Sequence, residues 1–301
     1  MRVLDPGLYT LLVDWGRPGS RSLGVPVGGA ADRAALAIGN GLVGNPPEAA
    51  ALEISLAGPT LQADCPLAGV VYGAPFAVSS DRQMLQAGKT FTLQPGETLT
   101  VGGTQQRMRA YFCVQGGFEG RVILGSRSSL EPLQAGAELS CRPGAIHARF
   151  LRRAWGWEKE WGTLRVVEGA QADWFRMEEF FGQEFLVAPA SNRMGLRLQG
   201  APLTLPEREL TSEPVCPGTV QVTRDGQCII LGVDAQTIGG YPKIAQVISA
   251  DLDQLGQLRP GERVRFRSVS LAEAERAYRA KQAELHEWLT RLRTAELLVH
   301  S

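Results

Sequence analysis

The densest concentration of groups able to do chemistry lies in the second half of the sequence. Residues 191–200 read SNRMGLRLQG, with Arg193 and Arg197 four apart and Gly195 between them. Two guanidiniums beside a flexible glycine can clamp a phosphate or a carboxylate. The same pair can equally be two surface arginines on a strand or turn. TSEPVCPGTVQV comes next, at 211–222. Glu213 precedes Pro214, which holds its backbone extended, and Gln221 sits on the next strand. DAQTIGGYPKIAQVISADL, from Asp234 to Leu252, then gathers Asp234, Gln236, Thr237, Tyr241, Lys243 and Asp251 within eighteen residues. Gly239 and Gly240 permit positive φ, and Pro242 stiffens the backbone leading into Lys243. Backbone amides beside Thr237 and Lys243 would make an oxyanion or phosphate cradle, or else a tight Gly-Gly turn between strands.

The usual ready-made sites are missing. The three histidines, His147, His286 and His300, have no partner at ligand spacing, which disfavours a histidine metal site and a Ser-His-Asp triad alike. No Walker A loop and no Gly-x-Gly-x-x-Gly after a strand is present. Gly-Ser-Arg occurs at 19–21 and 125–127 without a nucleophile elbow, and reads as turn chemistry. Catalysis by this chain would rest on Asp, Glu, Lys, Arg and backbone amides. In the first half, VDWGRPGSRSLGVPVGGAAD at 13–32 places Asp14, Arg17, Arg21 and Asp32 in a glycine-rich loop. Asp32 falls in the first turn of a helix, where a carboxylate caps the backbone or holds a ligand. Glu53 is an isolated acid in ALEISLAGP at 51–59, either buried and paired or facing solvent.

Short apolar runs broken by glycine and proline must position these groups. They include 9–13, 69–73, 91–102 and 107–114, then 163–169, 184–189, 218–222, 228–233 and 263–266. Such spacing indicates barrels or sandwiches, and the lack of βαβ alternation disfavours a Rossmann-type sheet. Two segments read as helices. One spans Ala31 to Leu42. The other starts at Leu271, capped by Ser270 with Glu273 three residues on. Its stripe of Leu271, Ala274, Tyr278, Leu285, Trp288 and Leu292 docks on the protein's own body or on a partner. The tryptophan-rich segment LRRAWGWEKEWG at 151–162 lacks a period and marks a linker. The expected division is therefore 1–150, the linker 151–162, 163–268, and a C-terminal amphipathic helix at 269–301.

Bulk properties bound the function. The 301 residues carry 31 Lys plus Arg and 31 Asp plus Glu, so no net field draws nucleic acid or an anionic membrane. The apolar run Leu8 to Val13 is too short for a signal-peptide core, which favours a cytoplasmic protein. Five cysteines without a Cys-x-x-Cys pair read mostly as small core hydrophobes.

Six landmarks in order give a resemblance. They are WGRPGSRSLGVPVGGAAD at 15–32, GNGLVGN at 39–45, LEISLAGP at 52–59, SNRMGLRLQG at 191–200, SEPVCPGTVQV at 212–222 and DAQTIGGYPKIAQVISADLDQLGQLRPG at 234–261. Up to about Arg267 the sequence resembles the biotin-dependent carboxyltransferase-like family. That family includes the C subunit of ATP-dependent 5-oxoprolinase, allophanate hydrolase subunit 2 and the carboxyltransferase domain of urea carboxylase. The sequence departs from the family pattern at Val13-Asp14-Trp15 and at Gly28-Gly29-Ala30, where the family often has a serine.

The resemblance implies a mainly β fold of two tandem cyclophilin-like β-barrels with a C-terminal helix. It implies partner subunits B (kinase-inhibitor-like) and A, with ATP and Mg2+ used in the assembled complex to open 5-oxoproline to glutamate. A homodimer fits the same features. A lactam nitrogen leaves badly, and phosphorylating the carbonyl oxygen makes that oxygen a leaving group, so the site must hold phosphates and a small carboxylate. By motif position and residue type, Lys243, Asp234, Asp251 and Glu213 become catalytic candidates. Arg193, Arg197, Gln221, Gln236, Thr237, Gly239, Gly240, Tyr241 and Asp32 become candidates for binding substrate or phosphate, and no metal ligand is expected. The alternatives are carboxyl transfer to a urea-like amide with a separate biotin carrier, since no Met-Lys-Met biotinyl segment occurs here, and a non-catalytic regulator that binds a kinase-inhibitor-like protein.

Overall fold

The computed structural model describes residues 1–151 and 161–299, without the side chains of 295–299. The linker expected at 151–162 and His300 therefore fall almost wholly outside the described residues. The chain divides into two compact units. Unit 1 comprises 1–17, 28–155 and 284–301, and unit 2 comprises 18–27 and 156–283.

Unit 1 contains β1 (Arg2–Asp5), β2 (Thr10–Val13), α1 (Arg33–Leu42), β3 (Ala51–Ser55), β4 (Thr60–Gln62), β5 (Leu67–Gly73), β6 (Val78–Ser80), β7 (Met84–Leu85), β8 (Phe91–Leu93), β9 (Thr98–Val101) and β10 (Arg109–Val114). They form two five-stranded sheets, β1-β4-β9-β6-β7 and β2-β3-β10-β5-β8, rather than one closed barrel. Both sheets bury side chains in one core, Val3, Leu61 and Leu99 from the first and Ile54, Val71 and Phe112 from the second. The resemblance implies tandem barrels; here the strands close into a barrel in unit 2.

Helix α1 is buried along Ala34–Leu42, so its polar residues must be satisfied inside. Asp32 caps it, accepting from the Ala35 amide at 2.9 Å, an interaction worth about 1 kcal/mol. Asn40 donates to the carbonyls of Pro47 and Ala49, and Asn45 donates to Asn40 Oδ1 and the Val114 carbonyl. The landmark GNGLVGN is thus a scaffold that ties α1 to the loop after it. Gly41 lets the last helix approach: a Cβ there would lie 3.0 Å from Leu292.

Unit 2 contains β11 (Thr163–Glu168), α2 (Met177–Phe181), β12 (Phe185–Val187), β13 (Gly195–Gln199), β14 (Glu213–Pro214), β15 (Thr219–Val222), β16 (Cys228–Leu231), β17 (Ile238–Gly239), β18 (Lys243–Val247), α3 (Leu252–Gln257) and β19 (Arg263–Ser268). Seven strands close a barrel in the order β11-β18-β15-β16-β13-β12-β19. Strand β19 closes it, parallel to β11 and antiparallel to β12. Its sequence RVRFRS shows why: Val264 and Phe266 point inward and the arginines outward, the two-residue period of a strand with one buried face. Phe266 stacks on Phe180 at 4.5 Å between centroids, with Phe185 edge-on at 5.5 Å.

The final helix, α4 (Leu271–Val299), begins with the expected capping box. Glu273 accepts from the Ser270 amide, and Ser270 Oγ accepts from the Glu273 amide. Its stripe splits. Leu292 is buried, whereas Leu271 and Tyr278 are exposed. No helix among the described residues is long and apolar enough to cross a membrane. Of the cysteines, Cys113 and Cys228 are core residues and Cys216 is exposed, so the expectation of core cysteines holds for part of the set. Burial pushes the Cys228 thiol up to about 12.

Candidate functional site

Lys243 is the first residue of β18, and its side chain lies almost buried at the barrel end. Its ammonium ion-pairs with Glu213. Glu213 reaches it because β14 and β17 form a two-stranded ribbon in which Glu213 stands opposite Gly239. Gln171 ties both ends together. Its Oε1 accepts from the Lys243 amide at 3.1 Å, and its Nε2 donates to Glu213 Oε2 at 3.4 Å. Gln221 stands opposite Lys243 on the neighbouring strand, at a register shift in β15, and donates to the Tyr241 carbonyl at 3.3 Å. The candidate site therefore groups Lys243, Glu213, Gln171 and Gln221, carried on β18, β14, the turn after β11, and β15.

Gly239 and Gly240 do not take the positive φ expected of them. The glycine requirement is steric at Gly239, where a Cβ would lie 2.6 Å from Gln221 Nε2. Gly239 is thus a gap that admits the Gln221 amide.

The hydrogen bond from Lys243 holds the Glu213 carboxyl below its ordinary range, against the opposing effect of desolvation. Glu213 is 40% exposed while Lys243 is 11% exposed. The carboxylate is therefore anchored yet reachable from solvent, and the ammonium is shielded behind it. An incoming anion or polarised carbonyl could take the ammonium while Glu213 turns to water or substrate. That is the requirement for a positioned general base beside a cation.

The other sequence candidates are not gathered here. Arg193 forms a two-point ion pair with Asp234, Nε to Oδ2 at 2.6 Å and Nη2 to Oδ1 at 3.1 Å, with both side chains largely buried. Arg197 faces solvent on β13, because strand alternation turns it outward, so the two arginines form no clamp. Asp251 is held by the Arg165 amide and guanidinium. It lies past the far end of β18 from Lys243, a strand length of about 13 Å. Asp234 and Asp251, both expected as catalytic, are thus engaged by Arg193 and Arg165 and are not brought to Lys243. Thr237 is buried with its carbonyl accepting from the Val215 amide, while Gln236, Gly240 and Tyr241 are exposed.

In unit 1, Asp32 is fully buried as a helix cap and Glu53 is buried and paired. Glu53 accepts from the Ala31 amide and Tyr111 hydroxyl, each at 2.8 Å, and pairs with Arg109 at 3.2 Å. The Tyr111 hydroxyl in turn accepts from the Asp32 amide at 2.8 Å. Burial, then the charges of Glu53 and Asp32, keep that phenol protonated. Asp14 accepts from Ser126 and Ser128 hydroxyls and from the Arg127 and Gly16 amides. Burial alone would raise its carboxyl, but these hydrogen bonds outweigh it and lower it. Gly29, at φ +77°, exists for close approach: a Cβ would sit 2.5 Å from the Gly16 nitrogen.

Gln171, Arg109, Tyr111 and Arg165 are absent from the sequence candidates. Each meets its partner across 42 to 86 residues of chain, and no local spacing announces them.

Residues 23–268 match the family model for the carboxyltransferase domain, subdomain A and B, and the chain belongs to this family. It is 34% identical over 313 aligned residues to the C subunit of 5-oxoprolinase from Escherichia coli K12, covering 97% of this chain and 98% of that protein. The solved structure of TTHA0988 superposes with a TM-score of 0.80 at 32% identity, over 89% of this chain and 56% of that one. The chain thus spans about half of TTHA0988. The K. lactis urea amidolyase structure matches with a TM-score of 0.86 at 26% identity, over 95% of this chain and 20% of that much longer one.

Proposed function

We propose that this chain is the C subunit of an ATP-dependent 5-oxoprolinase, opening 5-oxoproline to glutamate together with subunits A and B. The observation that carries this is length: the match to the Escherichia coli C subunit spans nearly all of both chains. The urea amidolyase match uses one fifth of that enzyme.

Within that reaction the Lys243–Glu213 pair is the working centre. Lys243 gives up Glu213 to steady negative charge developing at the lactam carbonyl oxygen. Glu213, freed and solvated, accepts a proton from the attacking water. Gln171 and Gln221 fix the two side chains so that little reorganisation is needed. ATP would supply a phosphoryl group to the lactam oxygen; water then adds to the ring carbon, the proton taken by Glu213 passes to the ring nitrogen as the C–N bond breaks, and a second water releases phosphate from the resulting acyl phosphate. The Lys243 cluster offers a single ammonium beside the Glu213 carboxylate, too little positive charge to match a triphosphate. The nucleotide with its Mg2+ belongs elsewhere in the assembled complex.

The matched family model favours a second reading, carboxyl transfer to an amide with a separate biotin carrier. The same pair would then polarise the acceptor amide. The assay that separates them is 5-oxoproline-dependent ATP hydrolysis by the chain alone, by subunits A and B alone, and by the three mixed. Activity only in the full mixture, lost in Lys243→Met, supports the proposal. Hydrolysis by A and B without this chain overturns it. Carboxyl transfer from carboxybiotin, with no lactam opening, supports the second reading.

A further inference from the structure

A cavity of about 510 Å³ opens on unit 2 beside the turn that leads into Lys243. This volume lies within the range of sites that enclose a drug-sized ligand. Its wall includes Trp174, Leu205, Arg208, Glu209, Arg224 and Tyr241. The chemistry of that wall is divided. Trp174 and Tyr241 offer partly exposed aromatic surface. Arg208 and Arg224 are exposed, and neither has a carboxylate ion-pair partner among the described residues. In this they differ from Arg193 and Lys243.

Both arginines are held in place. The Arg208 guanidinium lies 5.4 Å from the Trp174 ring centroid, a cation–π contact. Arg224 stands in the tight connection between β15 and β16. There the Gly226 amide bonds the Thr223 carbonyl, and the Thr223 amide bonds the Gln227 carbonyl. A turn closed at both ends presents its side chain from a fixed backbone.

We propose that this cavity binds a nucleoside phosphate. The flat base lies against Tyr241 and the Trp174 edge, the phosphates meet Arg208 and Arg224, and Glu209 accepts from the ribose hydroxyls. Two guanidiniums and an aromatic wall suit a ligand with an anionic end and a flat apolar end. The single carboxylate needs a hydroxyl donor or a cation, and a ribose or a phosphate-bound divalent ion provides one. ATP as the occupant rests on the 5-oxoprolinase reading; the fit to a nucleoside phosphate rests on the wall itself.

Isothermal titration tests this on the chain and on the assembled complex, using ATP, adenosine and tripolyphosphate as probes. One saturable ATP site is expected, with adenosine and tripolyphosphate each at least about tenfold weaker. Arg208→Gln and Arg224→Gln should each weaken ATP about tenfold or more, the scale of a lost charge-assisted hydrogen bond. Both arginines are exposed, so an unchanged melting temperature is expected and confirms folding. Tripolyphosphate binding as tightly as ATP, or both variants binding ATP like the parent, overturns the proposal. So does the absence of ATP binding in both preparations. ATP binding without lactam opening would retain the cavity and remove the 5-oxoprolinase reading. Lactam opening with ATP affinity unmoved by either variant would do the reverse.

Discussion

Replacing Arg193 separates a structural ion pair from a ligand clamp. Its guanidinium is 5% exposed and binds Asp234, itself 13% exposed, through two nitrogens. Removing one member of a buried pair strands the other charge and costs about 3–5 kcal/mol. Arg193→Met should therefore lower the melting temperature of unit 2 by on the order of 10 °C. Replacing both members with apolar residues of similar volume leaves no stranded charge. Arg193→Met/Asp234→Leu should recover most of that loss, because burial of a matched pair is near break-even against an apolar substitute. Thermal unfolding followed by tryptophan fluorescence and circular dichroism reads both. If Arg193 instead served a phosphate, the single variant would remain as stable as the parent while complex activity vanished, and the double variant would be no better. A single-variant loss under about 1 kcal/mol refutes the structural account.

Two more outcomes follow from the geometry. Gly239→Ala places a methyl against the Gln221 amide, which is the end of a flexible side chain and can move. Stability should fall by less than about 1 kcal/mol while activity of the complex falls about tenfold or more, as a misplaced polar group does; unchanged activity would remove Gln221 from the site. Asp14 has a folded carboxyl held below its usual 3.8, so its stabilisation is complete above that value and is lost as pH falls through the lower folded one. The stabilities of the parent and of Asp14→Asn should therefore differ above pH 3.8 and converge as pH falls through the lower folded value, and parallel acid-unfolding curves throughout would contradict the linkage.

The local signals in the sequence fared well because they depend on neighbours along the chain. The apolar runs at 163–169, 218–222, 228–233 and 263–266 each coincide with a strand of the barrel to within two residues, and Ser270 with Glu273 caps α4. Asp32 could be read as a cap for the same reason. What escaped is what pairs over distance. KIAQV at 243–247 is a barrel strand flanked by β11 and β15, yet it is missing from the apolar runs picked out in the sequence. Polar density at 234–251 grouped Asp234, Lys243 and Asp251 by sequence, whereas the fold sends them to three different partners, Arg193, Glu213 and Arg165. Gln171 joined the site with no local mark at all, because only barrel closure brings it to Lys243.

A polar residue already satisfied must break its bonds before it can serve a ligand, and the cost of doing so orders the candidates. Arg193 would have to leave a carboxylate that has little water to turn to, so releasing it carries the full penalty of a stranded buried charge. Asp251 is bound by a backbone amide as well as a guanidinium, and moving it would also disturb the β11 edge. Glu53 holds three partners in a site closed to solvent. Lys243 differs in one respect: its partner Glu213 is substantially exposed, and water can take over the carboxylate's hydrogen bonds when the ammonium turns to a ligand. Among the charged groups of the family motifs, this asymmetric pair is the one whose exchange of partners is inexpensive. We therefore propose Lys243 and Glu213 for the chemistry, whereas Arg193, Asp234 and Asp251 are engaged in buried or half-buried ion pairs of unit 2.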